Sequence, residues 1–180
     1  VELSKLAKNP LGISISKAYL TYMHTLRGEI SSACESCQEL LSSVEEYGDP
    51  YIKGTVYSHY GGALYYKGMF EEAEKYLLEG LTFCNRTAQV GWESIATARL
   101  GFMSFDRGLY SKAQDYHLQV IRLLEGVKMH PSWGNVQKTC LAKARVRAND
   151  RDVNLAELFE YYENNKMRSY EGFMARNIGD

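Results

Sequence analysis

Apolar side chains recur along this chain at helical spacing, on both sides of short turns that contain glycine. Before Gly68, the residues Tyr57, Tyr60 and Leu64 follow one another at intervals of three and four. After Gly68, apolar residues recur at i, i+3, i+7 and i+11, beginning at Phe70. A period near 3.6 indicates amphipathic helices, and the glycine indicates a break between two of them. Each such segment is therefore predicted to be a helical hairpin.

The rest of the sequence also favours helices. No stretch alternates apolar and polar residues with a period of two between turn signals, as a half-buried strand would require. Only 3 of the 180 residues are proline, so that helix breakers are rare. The predicted fold class is therefore all-α.

The hairpin pattern repeats with a period of about 40 residues, because residues 61–81 align with residues 101–121. The matched pairs are Gly61 and Gly101, Gly68 and Gly108, Phe70 and Tyr110, Ala73 and Ala113, and Tyr76 and Tyr116. One period earlier, the same pattern reaches Gly28. In a fourth copy the register is expected to lengthen slightly, so that Ala156 takes the place of Ala113. A fixed period of this length is typical of repeat proteins.

The repeat divides the chain into four predicted hairpins and a last, unpaired helix. Their approximate bounds are residues 13–46, 52–87, 91–126 and 134–164 for the hairpins and 167–178 for the helix. Residues 1–8 are predicted to be the end of an earlier helix. Pro10, Pro50 and Pro131 are expected at joints between repeats, where a missing N–H costs least. The prediction is a single repeat domain over residues 1–180, cut from a longer protein because Val1 replaces an initiating Met.

This arrangement resembles the tetratricopeptide repeat. That family places a small residue within the first helix, a large residue further along it, Gly at the turn, and Ala early in the second helix. The matching residues of the best copy are Gly61, Leu64, Gly68 and Ala73. Because the basic pattern of the family has a shorter period, of about 34 residues, the resemblance is to a long-period variant. It implies a right-handed α-solenoid of helical hairpins, whose first helices line a concave face.

The resemblance also implies where a partner would bind. The family's groove positions carry over to a candidate concave surface of Tyr22, Tyr65, Tyr66, Phe102, Phe105, Lys138 and Arg145, with smaller residues Ala18, Thr25, Ser58, Gly62, Ala98 and Leu141. Aromatic and Arg side chains dominate binding hot spots, so the expected partner is a protein or peptide. The alternative is that these aromatic rings only cover neighbouring helices.

A second resemblance concerns the end of the sequence. Residues Gly172 to Asp180 are similar to the C-terminal repeat regions of large bacterial signalling proteins, in which an adenylate or guanylate cyclase, or a protein kinase, is joined to an ATPase module. This resemblance implies an alternative function, as a regulatory or sensor segment of such an enzyme. Other domains of the same chain would then be the partners, and the enzyme would lie outside these residues.

Candidate catalytic and metal-binding residues form no complete motif. Cys34 and Cys37 make a C-x-x-C, and a thiol or metal protein is therefore a further alternative. A zinc site needs four ligands, however, and a thioredoxin-type site needs a nearby βαβ unit. His117 stands where Leu77 stands in the previous repeat, which predicts a packed imidazole. We therefore predict no catalytic residue, cofactor or metal, and no enzymatic activity in these residues.

Charge and hydropathy limit the classes of partner. The 21 basic and 22 acidic side chains give a net charge of −1, which provides no excess positive charge for binding nucleic acid. The apolar runs are too short to cross a bilayer, and no signal peptide opens the chain, so that no membrane partner and a cytoplasmic location are expected. Self-association through an exposed apolar end of the repeat stack is a further expectation.

Overall fold

The structure is a computed structural model that describes residues 10–47, 49–150 and 152–179, and these residues form helices joined by short turns. The helices are α1 (Pro10–Leu26), α2 (Ile30–Tyr47), α3 (Pro50–Lys67), α4 (Phe70–Arg86), α5 (Val90–Asp106), α6 (Tyr110–Val127), α7 (Pro131–Arg147), α8 (Leu155–Glu163) and α9 (Glu171–Gly179), with a 3-10 turn at Arg168–Tyr170. The described residues contain no strand, and the all-α class is confirmed. None of the described helices is both long enough and apolar enough to span a bilayer. The predicted earlier helix, residues 1–8, lies outside the described residues.

Consecutive helices pack on one another within two compact units, residues 1–96 and 97–180. In unit 1, α2 packs on α1, α3 packs on both α1 and α2, and α4 packs on α3. In unit 2, α7 packs on α6, α8 packs on α7, and α9 packs on α7 and α8. The three prolines are the first residues of α1, α3 and α7. They lie at joints between hairpins, as predicted, where Pro costs no helical hydrogen bond.

Left-handed backbone conformations mark the turns within the hairpins. The turn residues are Gly28, Gly68, Gly108 and Asn149, with φ of 77°, 84°, 74° and 66°. After the second of them, the N–H of Met69 donates to the carbonyl of Leu64 at 3.0 Å. After the last, the N–H of Asp150 donates in the same way to Arg145 at 3.0 Å. This bond closes a Schellman motif, whose left-handed residue is most often Gly. The turn residues recur at the period that the sequence predicts, with one extra residue before the last of them.

The fourth hairpin departs from the predicted register in its second helix. Ala73 and Ala113 lie one turn into α4 and α6, and both are 0% exposed. The equivalent place in α8 belongs to Leu158, which is 7% exposed, whereas Ala156 is exposed. The prediction that Ala156 replaces Ala113 is therefore wrong. The reason is a longer connection, because α8 begins only after Asn154, whose side chain accepts from the N–H of Glu157 at 3.3 Å.

A pair of residues at the centre of each of the first three hairpins brings the two helices together. A Cβ added to Gly61 would lie 2.7 Å from Cγ of Leu77. A Cβ added to Gly101 would lie 2.8 Å from Cε1 of His117. Real Cβ atoms do not approach other atoms so closely, so that these helices require glycine at this position.

The first hairpin solves the same packing problem with different residues. Thr21 stands one period before Gly61, and Cys37 stands one period before Leu77. Both are 0% exposed, and the Cys37 Sγ lies 3.6 Å from the Thr21 Oγ1. The larger first-helix residue thus meets the smaller second-helix residue. The combined volume is what this contact constrains.

His117 is buried in the place of Leu77, and the prediction of a packed imidazole is confirmed. Its side chain is 1% exposed, and its Nδ1 lies 2.8 Å from Oε1 of Gln137. Because Gln137 Oε1 is an acceptor, Nδ1 carries the proton. Burial lowers the pKa of His117 to about 4, and the hydrogen bond to Gln137 opposes that shift in part. The ring is therefore neutral at pH 7.

Gly101→Ala is expected to lower the free energy of unfolding by about 1–3 kcal/mol, because the added methyl group overlaps the His117 ring. Gly126→Ala is the matched control, since a Cβ there meets no atom within 4 Å. The control is expected to be neutral or to gain up to about 1 kcal/mol from its better helix propensity. Urea unfolding followed by circular dichroism measures both variants. Equal stabilities of the two would contradict this account of the hairpin contact.

Stability is expected to fall as the pH drops below 6.5. The folded pKa of His117, about 4, lies below its ordinary value of 6.5, so that the unfolded chain takes up the proton first. The stabilisation by neutral His117 is complete above pH 6.5 and is lost as the pH falls towards 4. Between pH 7 and pH 5 the loss is about 2 kcal/mol.

Urea unfolding at the two pH values measures this loss. His117→Leu restores the residue type of the preceding repeat and removes the titrating group. The variant is expected to lose less stability between pH 7 and pH 5 than the original chain. If the two pH profiles run in parallel, buried His117 is not their cause.

Candidate functional site

Four aromatic rings from three helices meet in unit 1, and we call them the ring cluster: Tyr19, Tyr22, His59 and Trp92. The centroids of the His59 and Trp92 rings are 4.8 Å apart. Tyr19 lies 5.4 Å from Trp92, and Tyr22 lies 5.9 Å from His59. The rings are tilted or edge-on, as aromatic pairs prefer. The cluster therefore joins α1, α3 and the start of α5.

The ring cluster is anchored inside and open outside. His59 is 6% exposed, whereas Tyr19 is 53% exposed. Tyr22 and Trp92 are half-buried. Rings fixed by their neighbours offer apolar area at low entropic cost, and Tyr and Trp are frequent in binding hot spots. The cluster is thus suited to contact an apolar or aromatic side chain of a partner.

Only one member of the ring cluster, Tyr22, was predicted from the sequence. Tyr19 and His59 occupy the same position in successive repeats. Trp92 and Trp133 also recur in successive repeats, and each is the third residue of its helix. A comparison of aromatic residues across the period would have singled out these positions. It would not have shown that rings from different repeats touch.

Two pairs of rings bracket hairpin turns instead. Tyr65 and Phe70 lie on the two sides of one turn, with centroids 6.1 Å apart. Phe105 and Tyr110 lie in the same way around the next turn, 5.3 Å apart. Tyr66 is 47% exposed, and its ring is 4.9 Å from that of Tyr65. These contacts give Tyr65 and Phe105 a packing role at the turns, which is the alternative role considered for the predicted surface.

Phe102 packs inside unit 2. Its side chain is 8% exposed. Its ring lies 5.4 Å from that of His117, 5.5 Å from Phe173 and 6.5 Å from Trp133. Removing Phe102 would therefore disturb the core of unit 2.

The two cations of the predicted surface already have partners. Lys138 Nζ lies 3.2 Å from Oε1 of Glu125 and 4.9 Å from the centroid of the Tyr161 ring. Arg145 Nε donates to Oδ2 of Asp150 at 2.6 Å, and this bond holds the pKa of Asp150 below its ordinary value. An acidic ligand would have to compete with these contacts. That the seven predicted residues form one concave surface stays a prediction.

The C-x-x-C cysteines are packing residues of α2. Cys34 is 4% exposed and Cys37 is 0% exposed. Burial raises the pKa of Cys37 to about 12 and also raises the pKa of Cys34. Thiolates, not thiols, are nucleophiles and metal ligands. In the described ranges, no group of three or more His, Cys, Asp or Glu residues is placed to hold a metal ion. The arrangement therefore favours packing over redox or metal chemistry.

Consecutively packed helices, with turn residues that recur at a nearly constant spacing, define an all-helical repeat protein. No family model matches the chain. The chain is 28% identical, over 108 residues, to the human protein named SH3 domain and tetratricopeptide repeat-containing protein 2. The match covers 60% of this chain and 8% of the human protein. The similarity and the helical fold are both compatible with tetratricopeptide-like repeats.

All four cysteines are expected to react slowly with a thiol reagent in the folded chain, because they are buried. Burial also raises the pKa of Cys84 to about 11 and that of Cys140 to about 12. We expect the rate with a disulfide reagent to rise roughly tenfold or more on unfolding, when four thiols per chain become reactive. Metal analysis of the purified protein serves as the control. Two rapidly reacting thiols, or one zinc per chain, would revive the thiol or metal alternative.

Proposed function

We propose that the chain is a non-catalytic protein-interaction module that binds a peptide or a partner helix at the ring cluster. The observation that carries this proposal is the arrangement of rings from three helices, one of them 53% exposed. The similarity to a human protein named for its tetratricopeptide repeats supports a protein partner. The wider concave surface predicted from the repeat pattern belongs to the same proposal, with Tyr22 as the shared residue.

The charges around the ring cluster favour an apolar ligand. Lys17 Nζ lies 3.3 Å from Oε2 of Glu39, and His24 Nδ1 lies 2.5 Å from Oε2 of Glu29. These pairs place opposite charges side by side near the start of the chain, so that the rim of the cluster offers little net charge. Apolar area therefore supplies most of the binding free energy, and a ligand is expected to insert an aromatic or large aliphatic side chain.

The regulatory alternative differs only in the partner. A neighbouring domain of the same chain would then occupy the cluster and report its occupancy to a cyclase, kinase or ATPase. The human relative is named for an SH3 domain as well as for its repeats, so that repeats of this kind are joined there to another domain. A bacterial signalling parent, a cytoplasmic location and self-association stay predictions.

Trp92→Ala is expected to weaken binding of a selected peptide by about tenfold or more, because truncating an aromatic hot spot costs at least about 1–2 kcal/mol. The peptide is one selected from a random displayed library against the whole chain. Phe159→Ala is the matched control, since Phe159 is also 53% exposed but lies outside the cluster in α8. Isothermal titration calorimetry measures the affinities, and circular dichroism confirms the fold.

A second readout reports on the site directly. Trp133→Phe leaves Trp92 as the single tryptophan of the chain. Binding of the selected peptide is expected to change the fluorescence of Trp92. Equal affinities of the Trp92→Ala and Phe159→Ala variants, together with unchanged Trp92 fluorescence, would contradict binding at the ring cluster.

A further inference from the structure

We propose that the outward face of α1, formed by Ser16, Tyr19, Leu20 and Met23, is a docking surface for another helical hairpin built like α1 and α2. We call this surface the open face. The hairpin that fits it would be supplied by polypeptide on the amino-terminal side of Pro10. The argument rests on the repeat register and on contacts within unit 1. It is independent of the peptide site, with which it shares only Tyr19.

The open face exposes large apolar side chains. Tyr19, Leu20 and Met23 are 53%, 47% and 46% exposed. They lie at i, i+1 and i+4 on α1, so that they share one side of the helix. Three adjacent large apolar side chains form a continuous patch, which distinguishes them from scattered surface residues.

The same face is buried one repeat later. The residues of α3 that stand one period after those of the open face are Val56, His59, Tyr60 and Ala63, and they are 0%, 6%, 6% and 0% exposed. After one more period, Leu100 and Met103 of α5 are 0% and 2% exposed. The face is therefore a buried position of the repeat, and α1 keeps its apolar character.

The preceding hairpin is what covers this face in α3. Both α1 and α2 pack on α3. The Tyr22 ring of α1 lies 5.9 Å from that of His59. Gln38 Nε2 of α2 donates to the Tyr60 hydroxyl at 3.2 Å. A hairpin placed before α1 in the same register would bring its first helix against Tyr19 and its second helix against Leu20.

The chemistry of the expected occupant follows from these equivalences. Leu20 stands where Tyr60 stands in α3 but has no hydroxyl group for an amide to bind. The occupant should therefore carry an apolar side chain at the position equivalent to Gln38. At the position equivalent to Tyr22 it should carry a ring or another large apolar side chain, to pack on the Tyr19 ring.

The sequence before α1 has the form of a joint between hairpins. Asn9 and Pro10 stand one repeat period before Asp49 and Pro50. Asp49 caps α3, where its Oδ1 accepts from the N–H of Tyr51 at 2.8 Å. Asn is as good an N-cap residue as Asp. The register of the joint thus agrees with the register of the open face.

A second copy of the chain fits the open face less well. Two such faces packed together would cover about half of three large side chains, roughly 300 Å² on each partner. A stable protein–protein interface buries about 800 Å² on each partner. A hairpin linked to α1 through the chain does not have to overcome the entropic cost of association, and a small contact then suffices.

An extended chain tests the proposal. A copy of residues 9–48 is inserted between Lys8 and Asn9, which places a copy of the α1 and α2 hairpin in front of the native α1. In the copy, Gln38→Leu supplies the apolar side chain expected opposite Leu20. Met23→Cys in the native α1 is the reporter, and the rate of maleimide labelling is compared with that of the same variant without the insertion. The labelling rate is expected to fall about tenfold or more on insertion, and the helical signal is expected to grow.

A matched reporter controls for general effects. Leu78→Cys lies on α4, where Leu78 is 46% exposed and stands outside the open face. Its labelling rate should be the same with and without the insertion. An unchanged labelling rate at position 23, or an inserted copy that adds no helical signal, would overturn the proposal. A dimer of the original chain that Met23→Glu abolishes would also overturn it, in favour of a second copy as occupant.

Failure of this test leaves the proposed function separately measurable. The peptide site is read through Trp92, which lies on α5 and is not part of the open face. Loss of peptide binding in Trp92→Ala with no protection at position 23 would support the ring cluster alone. Protection at position 23 without any effect of Trp92→Ala would support the open face alone.

Discussion

The approach of the two helices within each hairpin is set by one contact, between a small residue of the first helix and a larger residue of the second. Gly61 receives Leu77, and Gly101 receives His117, with no space for a Cβ in either case. Where the first helix carries Thr21, the second carries the smaller Cys37, and the two still touch. The residue types differ, but the fit is kept, because a close-packed interior tolerates exchange of volume better than its loss.

This close approach fixes what the remaining sides of the first helices meet. In unit 1, α1 and α3 are near enough for the Tyr22 and His59 rings to touch. The start of α5 adds Trp92 against His59 and Tyr19. The ring cluster therefore follows from helix packing, and no loop has to be arranged to form it. A binding surface built on packed helices is preorganised, which reduces the entropy lost when a ligand binds.

The sequence predicted features that depend on local chemistry. The turn glycines, the prolines at the joints and the burial of His117 opposite Gly101 all follow from residue type and spacing. The prediction failed at Ala156, because the length of a polar connection is not fixed by the hydrophobic period. The ring cluster was found only in part, since contacts between helices of different repeats depend on how those helices are placed. Spacing alone does not determine that placement.

Tyr19 belongs to both proposed surfaces, and this sharing couples them. A hairpin on the open face would cover Tyr19 and leave Tyr22 and Trp92 for a ligand. A peptide that binds against Tyr19 would instead compete with that hairpin. By linkage, the factor by which one occupant changes the affinity of the other is the same in both directions. Competition for a single exposed ring is thus sufficient to connect the state of a neighbouring repeat with ligand binding, without any change in the hairpins themselves.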